Sequence, residues 1–265
     1  MGKLDGIVAI ITGGGRGIGR AIAMAYLHEG AYIVVTAARE WTEVESLARA
    51  AGPERALALL ADASDPAACE RVVAETIARF QRVDVLVNNA GRGMKYVSPD
   101  FMTTPPRFWE VAPEIWTMII ATNVNGPFFM TRAVIPPMLA QGTGSIINIS
   151  INYETMKRRG FAPYGPSKAA LESASAIWAQ DLEGTGIRVN ILLPGGATNT
   201  GMIPPQMPQE TRARLLDPEI ITAPAVYLAS AASQHVTGRR LIATQWSPEQ
   251  PDGWPISEGI GNVGY

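Results

Sequence analysis

The chain has 265 residues, of which 47% are hydrophobic and 17% charged, so it can bury a large core and is not a disordered chain. Its 22 basic and 24 acidic side chains give a net charge of −2, which argues against a nucleic-acid partner and a polybasic membrane anchor. The single Cys69 cannot form an intrachain disulfide, and His28 and His235 lack the spacing of metal ligands. We therefore expect a cytoplasmic protein with no secretory signal, no membrane span and no metal site.

Short apolar runs alternate with helical segments along the chain. We expect strands at residues 7–11, 32–36, 56–60, 83–87, 145–149, 188–193 and 241–244. Helices are expected between them at 18–28, 42–50, 66–80, 116–139, 168–182 and 220–229. Uninterrupted apolar runs are typical of parallel strands that are buried on both faces. The alternation predicts an α/β, doubly wound, Rossmann-type fold with a seven-stranded, mostly parallel sheet and helices on both faces.

Three segments interrupt this alternation. Residues 92–114 and 194–208 are rich in proline and each follows a strand, so both are expected at the sheet edge where ligands bind. The segment after Ser247 has many Pro and Gly residues and no periodic pattern. We expect one domain over residues 1–246, holding both the cofactor and the substrate sites, followed by an irregular C-terminal tail at 247–265.

A glycine-rich segment joins the first strand to the first helix. It reads Thr12-Gly13-Gly14-Gly15-Arg16-Gly17-Ile18-Gly19. Gly13 allows the turn, Gly17 allows the backbone to approach a pyrophosphate, and Gly19 lets the helix pack on the strand. The helix N-terminus adds free N–H groups and a favourable dipole. Such a loop is a weak signal alone, but its place between strand and helix indicates a dinucleotide site.

Two tyrosines have a lysine four residues later, Tyr164 with Lys168 and Tyr153 with Lys157. On a helix such a pair lies one turn apart. An ammonium about 4 Å from a phenol, at an effective dielectric constant of about 20, would lower its pKa by about 3 units. A phenol so tuned can donate or accept the proton that accompanies hydride transfer. Only Tyr164 and Lys168 lead into a well-patterned helix, so they form the candidate pair, and Tyr153 is expected in a pocket wall or a loop.

These motifs resemble the classical short-chain dehydrogenase/reductase family over about residues 4–245. Further matches are Asp62, Asn88-Asn89-Ala90-Gly91, Asn123 and Pro194-Gly195. The resemblance implies an NAD(P)-dependent oxidoreductase that interconverts a secondary alcohol and a ketone. It implies that Tyr164 is the general acid/base, that Lys168 lowers its pKa and binds the nicotinamide ribose, and that Asn123 holds a water molecule. It also implies a homotetramer, or at least a dimer.

The resemblance also implies which residues contact the cofactor. Asp62 would contact the adenine, and Thr198 or Thr200, with Thr200 favoured, would flank the nicotinamide carboxamide. The implied cofactor-binding residues are Gly13, Gly15, Arg16, Gly17, Ile18, Gly19, Arg39, Asp62, Ala63, Asn89, Ala90, Gly91, Tyr164, Lys168, Pro194, Gly195, Thr198 and Thr200.

The choice between NADP and NAD depends on the end of the second strand. An acid there would hold the ribose 2′-hydroxyl and repel a 2′-phosphate. Here Thr36-Ala37-Ala38-Arg39 contains no acid before Glu40. The guanidinium groups of Arg16 and Arg39 suit a phosphate. The sequence therefore predicts NADP in preference to NAD, unless Arg39 points into solvent.

The catalytic serine is where the chain departs from the family. The family usually has it thirteen positions before the tyrosine, and that position here is Ile151. Ser150 is one residue earlier, and strand alternation would turn its side chain the other way. We expect a bulge or longer loop to rotate Ser150 into the site. Otherwise Asn152 replaces the hydroxyl as donor, or the donor is absent and the enzyme is slow.

Apolar side chains are frequent in the two proline-rich segments. They are Phe101, Phe108, Trp109 and Trp116 in or after the first, and Met202, Ile203 and Met207 in the second. If they line the pocket, the substrate is an apolar or aromatic small molecule. Several of them equally suit a role in anchoring the loops or an interface. Asn152, Tyr153 and Met202 are the candidate substrate contacts. The opposing hypothesis is a nucleotide-binding sensor or interaction protein with weak or no catalysis, which Ile151 favours.

Overall fold

A computed structural model describes residues 2–256. Eight strands form one sheet in the order β3-β2-β1-β4-β5-β6-β7-β8. The strands are β1 (Val8–Thr12), β2 (Tyr32–Ala37), β3 (Ala56–Leu60), β4 (Val85–Asn88), β5 (Gly144–Ile149), β6 (Ile187–Leu193), β7 (Arg239–Ile242) and β8 (Trp254–Pro255). The first seven pair in parallel. The Rossmann-type fold predicted from the sequence is thereby confirmed.

Helices cover both faces of the sheet. They are α1 (Gly17–His28), α2 (Trp41–Ala51), α3 (Pro66–Phe80), α4 (Pro113–Ile120), α5 (Gly126–Gln141), α6 (Tyr153–Met156), α7 (Tyr164–Asp181), α8 (Gln209–Arg212) and α9 (Thr222–Ala229). Helices α1, α2 and α9 pack on one face, and α3, α5 and α7 on the other. Adjacent β1 residues Ile10 and Ile11 are fully buried in opposite clusters, which explains the unbroken apolar run. Each such side chain contributes about 1.5–3 kcal/mol by its burial.

The sheet has eight strands, whereas the sequence predicts seven. The additional strand β8 lies in the segment expected to be an irregular tail, and it pairs antiparallel with β7. Ile256 provides the physical reason, because it is buried against Ile191 and Leu193 on β6. The Tyr227 hydroxyl also donates a 2.6 Å hydrogen bond to Asp252. Residues 257–265 of the expected tail lie outside the described residues, and the domain division at residue 246 stays a prediction.

Two of the expected helices differ most from those observed. The helix expected at 116–139 is α4, a π-helical turn at Ala121–Asn125, and α5. The helix expected from residue 168 already begins at Tyr164, so that Tyr164 and Lys168 lie on the same helix. Within residues 2–256, no helix is long and apolar enough to cross a membrane.

Candidate active site

The glycine loop after β1 has the backbone shape expected for a dinucleotide site. Gly13 and Gly17 have φ values of +64° and +52°, in the left-handed region that favours glycine. A Cβ atom at Gly19 would collide with the Gly13 carbonyl and the Asn89 side-chain amide. Gly19 therefore lets α1 begin close behind the loop, and the loop fits a pyrophosphate at the helix N-terminus.

The residues that follow β4 hold the glycine loop in place. The Asn89 side chain donates hydrogen bonds to the carbonyls of Thr12 and Gly13, at 2.9 and 3.0 Å. The Thr12 hydroxyl accepts hydrogen bonds from the backbone N–H groups of Asn89 and Ala90, both at 3.0 Å. Asn89 thus joins the ends of β1 and β4 and takes part in building the cleft, in addition to lining it.

A cleft of about 300 Å³ lies at the carboxyl ends of the strands, as expected for this fold. Most expected cofactor residues line it, namely Gly13, Gly15, Arg16, Gly17, Ile18, Arg39, Asp62, Ala63, Asn89, Ala90, Gly91 and Thr200. Met202, expected to contact substrate, lines the same cleft. Gly19, Pro194, Gly195, Thr198, Tyr164 and Lys168 do not line it.

The cleft also contains residues that are not among the expected cofactor contacts. These are Thr36, Ala37, Ala38, Glu40, Glu43, Ala61, Arg92, Lys95, Tyr96, Thr122 and Gly201. The most informative is Arg92, which lies 3.8 Å from the Asp62 carboxylate and beside the ring of Tyr96. Its position directly after Asn88–Gly91 could have indicated it, because loop residues that follow a strand end reach the binding edge.

Asp62 remains ionised at the expected adenine end of the cleft. Burial alone would raise the pKa of its carboxyl, but two hydrogen bonds from Ser64 and the charges of Arg92 and Arg39 hold that pKa below its usual value. The Ser64 backbone N–H and hydroxyl donate at 2.9 and 2.7 Å to the same carboxylate oxygen. The second oxygen faces Arg92. Asp62 therefore offers a fixed acceptor.

Thr198 and Thr200 differ in environment. Thr198 is buried, its hydroxyl donates to the Gly196 carbonyl, and its backbone forms a bridge with Leu216. Thr200 lines the cleft and lies against Gly17. Of the two threonines, Thr200 alone lines the cleft. Gly195 has a φ of +97° and packs against Thr244, which leaves no room for a side chain.

Tyr164 and Lys168 occupy the first turns of α7. Lys168 is only 4% exposed, and its Nζ donates a 2.8 Å hydrogen bond to the Ile149 carbonyl at the end of β5. Burial lowers the pKa of Lys168 to about 8, although the Glu172 charge opposes this. Burial raises the pKa of Tyr164 to about 12. The pKa of Tyr164 is thus raised by burial and is not lowered as the sequence predicts.

Asn123 connects the cleft to this helix. Its side-chain amide donates to the Arg92 carbonyl at 2.9 Å and to the Ser167 hydroxyl at 3.0 Å, and its oxygen accepts from the Arg92 N–H at 2.8 Å. Both amide hydrogens are therefore used. Only a lone pair on the side-chain oxygen remains for the water molecule that the resemblance implies. Asn123 lies in the π-helical turn, which aims its side chain between β4 and α7.

Ser150 is not in the position predicted for it. Its side chain is 2% exposed and its hydroxyl donates to the Glu172 carboxylate. Glu172 lies eight residues after Tyr164 on α7, which is about 12 Å along the helix axis. The rotation of Ser150 into the site is thus not observed, because β5 keeps its alternation to the end and the buried carboxylate accepts the hydroxyl.

Asn152 and Tyr153 follow Ile151 in the sequence and have different surroundings. The Asn152 amide donates to the Gly195 carbonyl at 3.0 Å and keeps one hydrogen for another acceptor. The Tyr153 ring packs 3.9 Å from the Arg240 guanidinium, and burial raises the pKa of its phenol to about 12. A short helix, α6, begins at Tyr153, contrary to expectation, but it ends before Lys157. The pair Tyr153/Lys157 therefore does not form a second acid/base site.

The apolar residues of the proline-rich segments divide between two roles. Phe101 is buried and packs edge-on against Phe161 at 5.8 Å, so it anchors its loop. Phe108 and Trp109 are 69% and 67% exposed. Met202 alone of the seven lines the cleft, where its side chain covers Gly91 and Gly93. Among residues 2–256, no three His, Cys, Asp or Glu residues are grouped as metal ligands.

A Rossmann-type sheet with this glycine loop and a Tyr/Lys pair at its edge defines a nicotinamide-dependent oxidoreductase. Residues 7–211 match the family model described as short chain dehydrogenase. The chain belongs to the short-chain dehydrogenase family, as its motifs predict, and is an NAD(P)-dependent oxidoreductase.

Three known proteins illustrate the similarity. An uncharacterised oxidoreductase from Mycobacterium tuberculosis is 36% identical over 91% of this chain and 92% of its own length. A 2,5-dichloro-2,5-cyclohexadiene-1,4-diol dehydrogenase from Sphingobium indicum is 34% identical over 92% of this chain and 98% of its own length. The crystal structure of 3-ketoacyl-(acyl-carrier-protein) reductase from Brucella melitensis complexed with NADH superposes with a TM-score of 0.79 at 31% identity, covering 90% of this chain and 97% of that one.

Proposed function

We propose that the protein interconverts a secondary alcohol and a ketone on an apolar or aromatic small molecule, with Tyr164 as general acid/base. The observation that carries this proposal is the start of α7 at Tyr164, which places Tyr164 and Lys168 one turn apart. Asn123 supports it by linking the cleft residue Arg92 to Ser167, between these two residues on the helix. This link supports the proposal that the cleft and the Tyr164/Lys168 pair belong to one site.

The residues suggest how the proton moves. A bound reduced nicotinamide nucleotide would supply the hydride for the reduction of a ketone. The glycine loop and Thr200 would hold it, and Asp62 would accept a hydrogen bond from the adenine end. Because burial keeps the Tyr164 phenol protonated, it is ready to donate a proton to the oxygen of a ketone. The free amide hydrogen of Asn152 would orient that oxygen, in place of the displaced Ser150 hydroxyl.

A nucleotide-binding sensor with weak or no catalysis is the second candidate. Ile151 at the usual serine position is the observation that favours it. The burial of Lys168 argues against it, because a protein that only binds nucleotide does not need an ammonium desolvated beside a phenol.

Turnover of carbonyl compounds distinguishes the two candidates. We expect the wild-type protein to oxidise NADPH or NADH in the presence of an aryl alkyl ketone, because the apolar side chain of Met202 lies in the cleft against Gly91 and Gly93. A ketone with the same skeleton and an added carboxylate is the matched control and should react more slowly. Loss of absorbance at 340 nm measures both. If calorimetry shows nucleotide binding but no ketone or alcohol reacts, the enzyme proposal is wrong and the sensor is supported.

NADP is the proposed cofactor. Thr36, Ala37 and Ala38 provide no carboxylate for a ribose diol, and Arg16 and Arg39 line the cleft beside them. Arg16 also pairs with Glu43 at 3.3 Å, an exposed contact of little strength. NADH in the complex of the Brucella relative makes NAD the competing outcome.

Replacing Arg39 by leucine should therefore affect the two cofactors differently. We expect kcat/KM for NADPH to fall about tenfold, the effect of one lost charge-assisted hydrogen bond, with a much smaller change for NADH. Arg49→Leu is the control, because it removes the same charge from α2, outside the cleft. Wild-type kcat/KM values that are equal for both cofactors, or higher with NADH, would refute the preference.

A homotetramer, or at least a dimer, and a cytoplasmic location complete the proposal. Phe128 on α5 and Ile177 on α7 are large exposed apolar residues, and Phe128 lies 6.5 Å from the Trp178 ring. Exposed apolar side chains on these two helices suit a contact between two copies of the chain. The single buried Cys69 suits a reducing compartment.

A further inference from the structure

A buried ion pair lies beyond the acid/base pair on α7. Arg240 on β7 places its Nε 3.2 Å from both carboxylate oxygens of Glu172, and both side chains are almost completely buried. The Ser150 hydroxyl donates to the same carboxylate. The Arg240 guanidinium also covers the Tyr153 ring at 3.9 Å. Four polar side chains, on α6, β7, α7 and the residue that follows β5, therefore meet in one place inside the protein.

Stability alone does not explain this cluster. Two charges removed from water lose their hydration, and well-packed apolar side chains of the same volume would stabilise a core as well or better. Burial raises the pKa of the Glu172 carboxyl, which Arg240 and the Ser150 hydroxyl oppose by favouring the charged form. A cluster that is expensive to bury therefore indicates a role in fixing a particular geometry.

The geometry that it fixes is the end of β5. Three successive residues there are each held by a side chain: Lys168 donates to the Ile149 carbonyl, Glu172 accepts from the Ser150 hydroxyl, and Arg240 donates to the Ile151 carbonyl at 2.8 Å. The next residue, Asn152, is half-buried and uses one amide hydrogen on Gly195. The strand end is thus clamped up to the residue that follows it.

We propose that Arg240 and Glu172 are positioning residues that clamp the end of β5, so that Asn152 and not Ser150 presents the hydrogen-bond donor to the substrate oxygen. This inference rests on the proposed function and adds the residues that position its Asn152 donor. The clamp acts through the backbone of Ile151, whose carbonyl Arg240 holds. Neither charged residue touches the substrate.

The C-terminal segment packs against the backbone of Arg240. The backbone of Arg240 pairs with Trp254 on β8, and Gly253 packs against the Arg240 carbonyl. Arg240 therefore lies on an interior strand, although β7 would otherwise form the sheet edge. This packing gives the guanidinium a fixed base from which to reach α7 and the end of β5.

The test uses the double variant Glu172→Met/Arg240→Met, because replacing both partners leaves no uncompensated charge and should still fold. Its control is Glu45→Met/Arg49→Met, which removes an exposed pair from α2. Hydrogen exchange of the peptide covering residues 149–156 should become about tenfold faster in the double variant and stay unchanged in the control. This measurement does not depend on activity. Unchanged exchange in a folded double variant overturns the clamp.

Steady-state kinetics test the positioning role. For ketone reduction, kcat should fall about 30-fold in the double variant with little change in the KM for nucleotide, as expected when a donor to the transition state is misplaced. The single variant Arg240→Lys keeps the positive charge beside Glu172, so its kcat should be higher than that of the double variant. A folded double variant with wild-type kcat would overturn the proposal.

A double-mutant cycle identifies Asn152 as the group that is positioned. Asn152→Ala should lower kcat about 30-fold in the wild type but only slightly further in the double variant, because the two changes remove the same interaction. Equal losses in both backgrounds, or none in the wild type, would overturn the assignment to Asn152. If the wild type reduces no ketone, the proposed function fails, and the exchange experiment alone decides whether the clamp exists.

Discussion

Replacing Tyr164 by phenylalanine should lower kcat for ketone reduction about 10³-fold, because a positioned general acid contributes about 10² to 10⁴ in rate. This corresponds to about 4 kcal/mol of transition-state stabilisation. The substitution removes one oxygen and keeps the ring, so α7 and the cleft should be unchanged. Single-turnover measurements of NADPH oxidation give the rate of the chemical step, and fluorescence titration gives the nucleotide affinity.

The matched control is Tyr32→Phe at the amino end of β2. The site lies at the carboxyl ends of the strands, so Tyr32 is far from it. It removes the same atom and should leave kcat within about twofold, as surface changes away from a site usually do. If the Tyr164 and Tyr32 variants have equal rates, Tyr164 is not the acid. If Tyr164→Phe also abolishes nucleotide binding, the loss of rate would not report on proton transfer.

Replacing Lys168 by methionine should reduce kcat/KM about 10²- to 10³-fold and remove the alkaline fall in wild-type activity. Burial lowers the pKa of Lys168 to about 8, so its positive charge is present below that pH and is lost above it. In the wild type, the rate of ketone reduction should therefore be level near pH 7 and fall above about pH 8. Methionine keeps the volume but has no charge to lose, so the rate of the variant should be low and level through this range.

The charged groups near Lys168 determine how this profile is interpreted. Glu172 on the same helix favours the ammonium, Arg240 on β7 neutralises part of the Glu172 charge, and Tyr164 and Tyr153 remain protonated through this range. Lys157→Met is the control, because Lys157 is exposed beyond the end of α6. Its profile should match that of the wild type. An alkaline fall near pH 8 that persists in Lys168→Met would exclude Lys168 as its origin.

The pKa directions also favour one reaction direction. A phenol with a pKa of about 12 is protonated at neutral pH and is a poor base there. Ketone reduction uses the protonated form, whereas alcohol oxidation needs the deprotonated one. The protonated Tyr164 phenol therefore suits the donation of a proton to a ketone near pH 7.

The relatives do not determine the substrate. Their names include a chlorinated cyclic diol dehydrogenase and an acyl-carrier-protein reductase, which act on very different molecules. A common fold and acid/base pair support the reaction class, but specificity lies in the loops around the site. Here those loops differ in role, since Phe101 anchors its segment and Met202 reaches the cleft.

The sequence by itself determined the fold class, the glycine loop and the Tyr164/Lys168 pair. Each depends on local order: apolar runs of strand length, a turn that only glycine allows, and a four-residue spacing on a helix. Gly13, Gly17 and Gly19 have the conformations and contacts that their spacing predicts. Such features are set by neighbours along the chain, so they can be inferred without knowing the packing.

Only the tertiary structure decided the environment of these residues. The side chain of Ser150 could face the cleft or the interior until Glu172 and Arg240 were brought together from α7 and β7. The same holds for the pKa of Tyr164, which depends on how much water the packed helix excludes. Strand β8 exists because Ile256 finds a buried place against β6. These outcomes depend on burial and on contacts between residues far apart in sequence, which no local pattern contains.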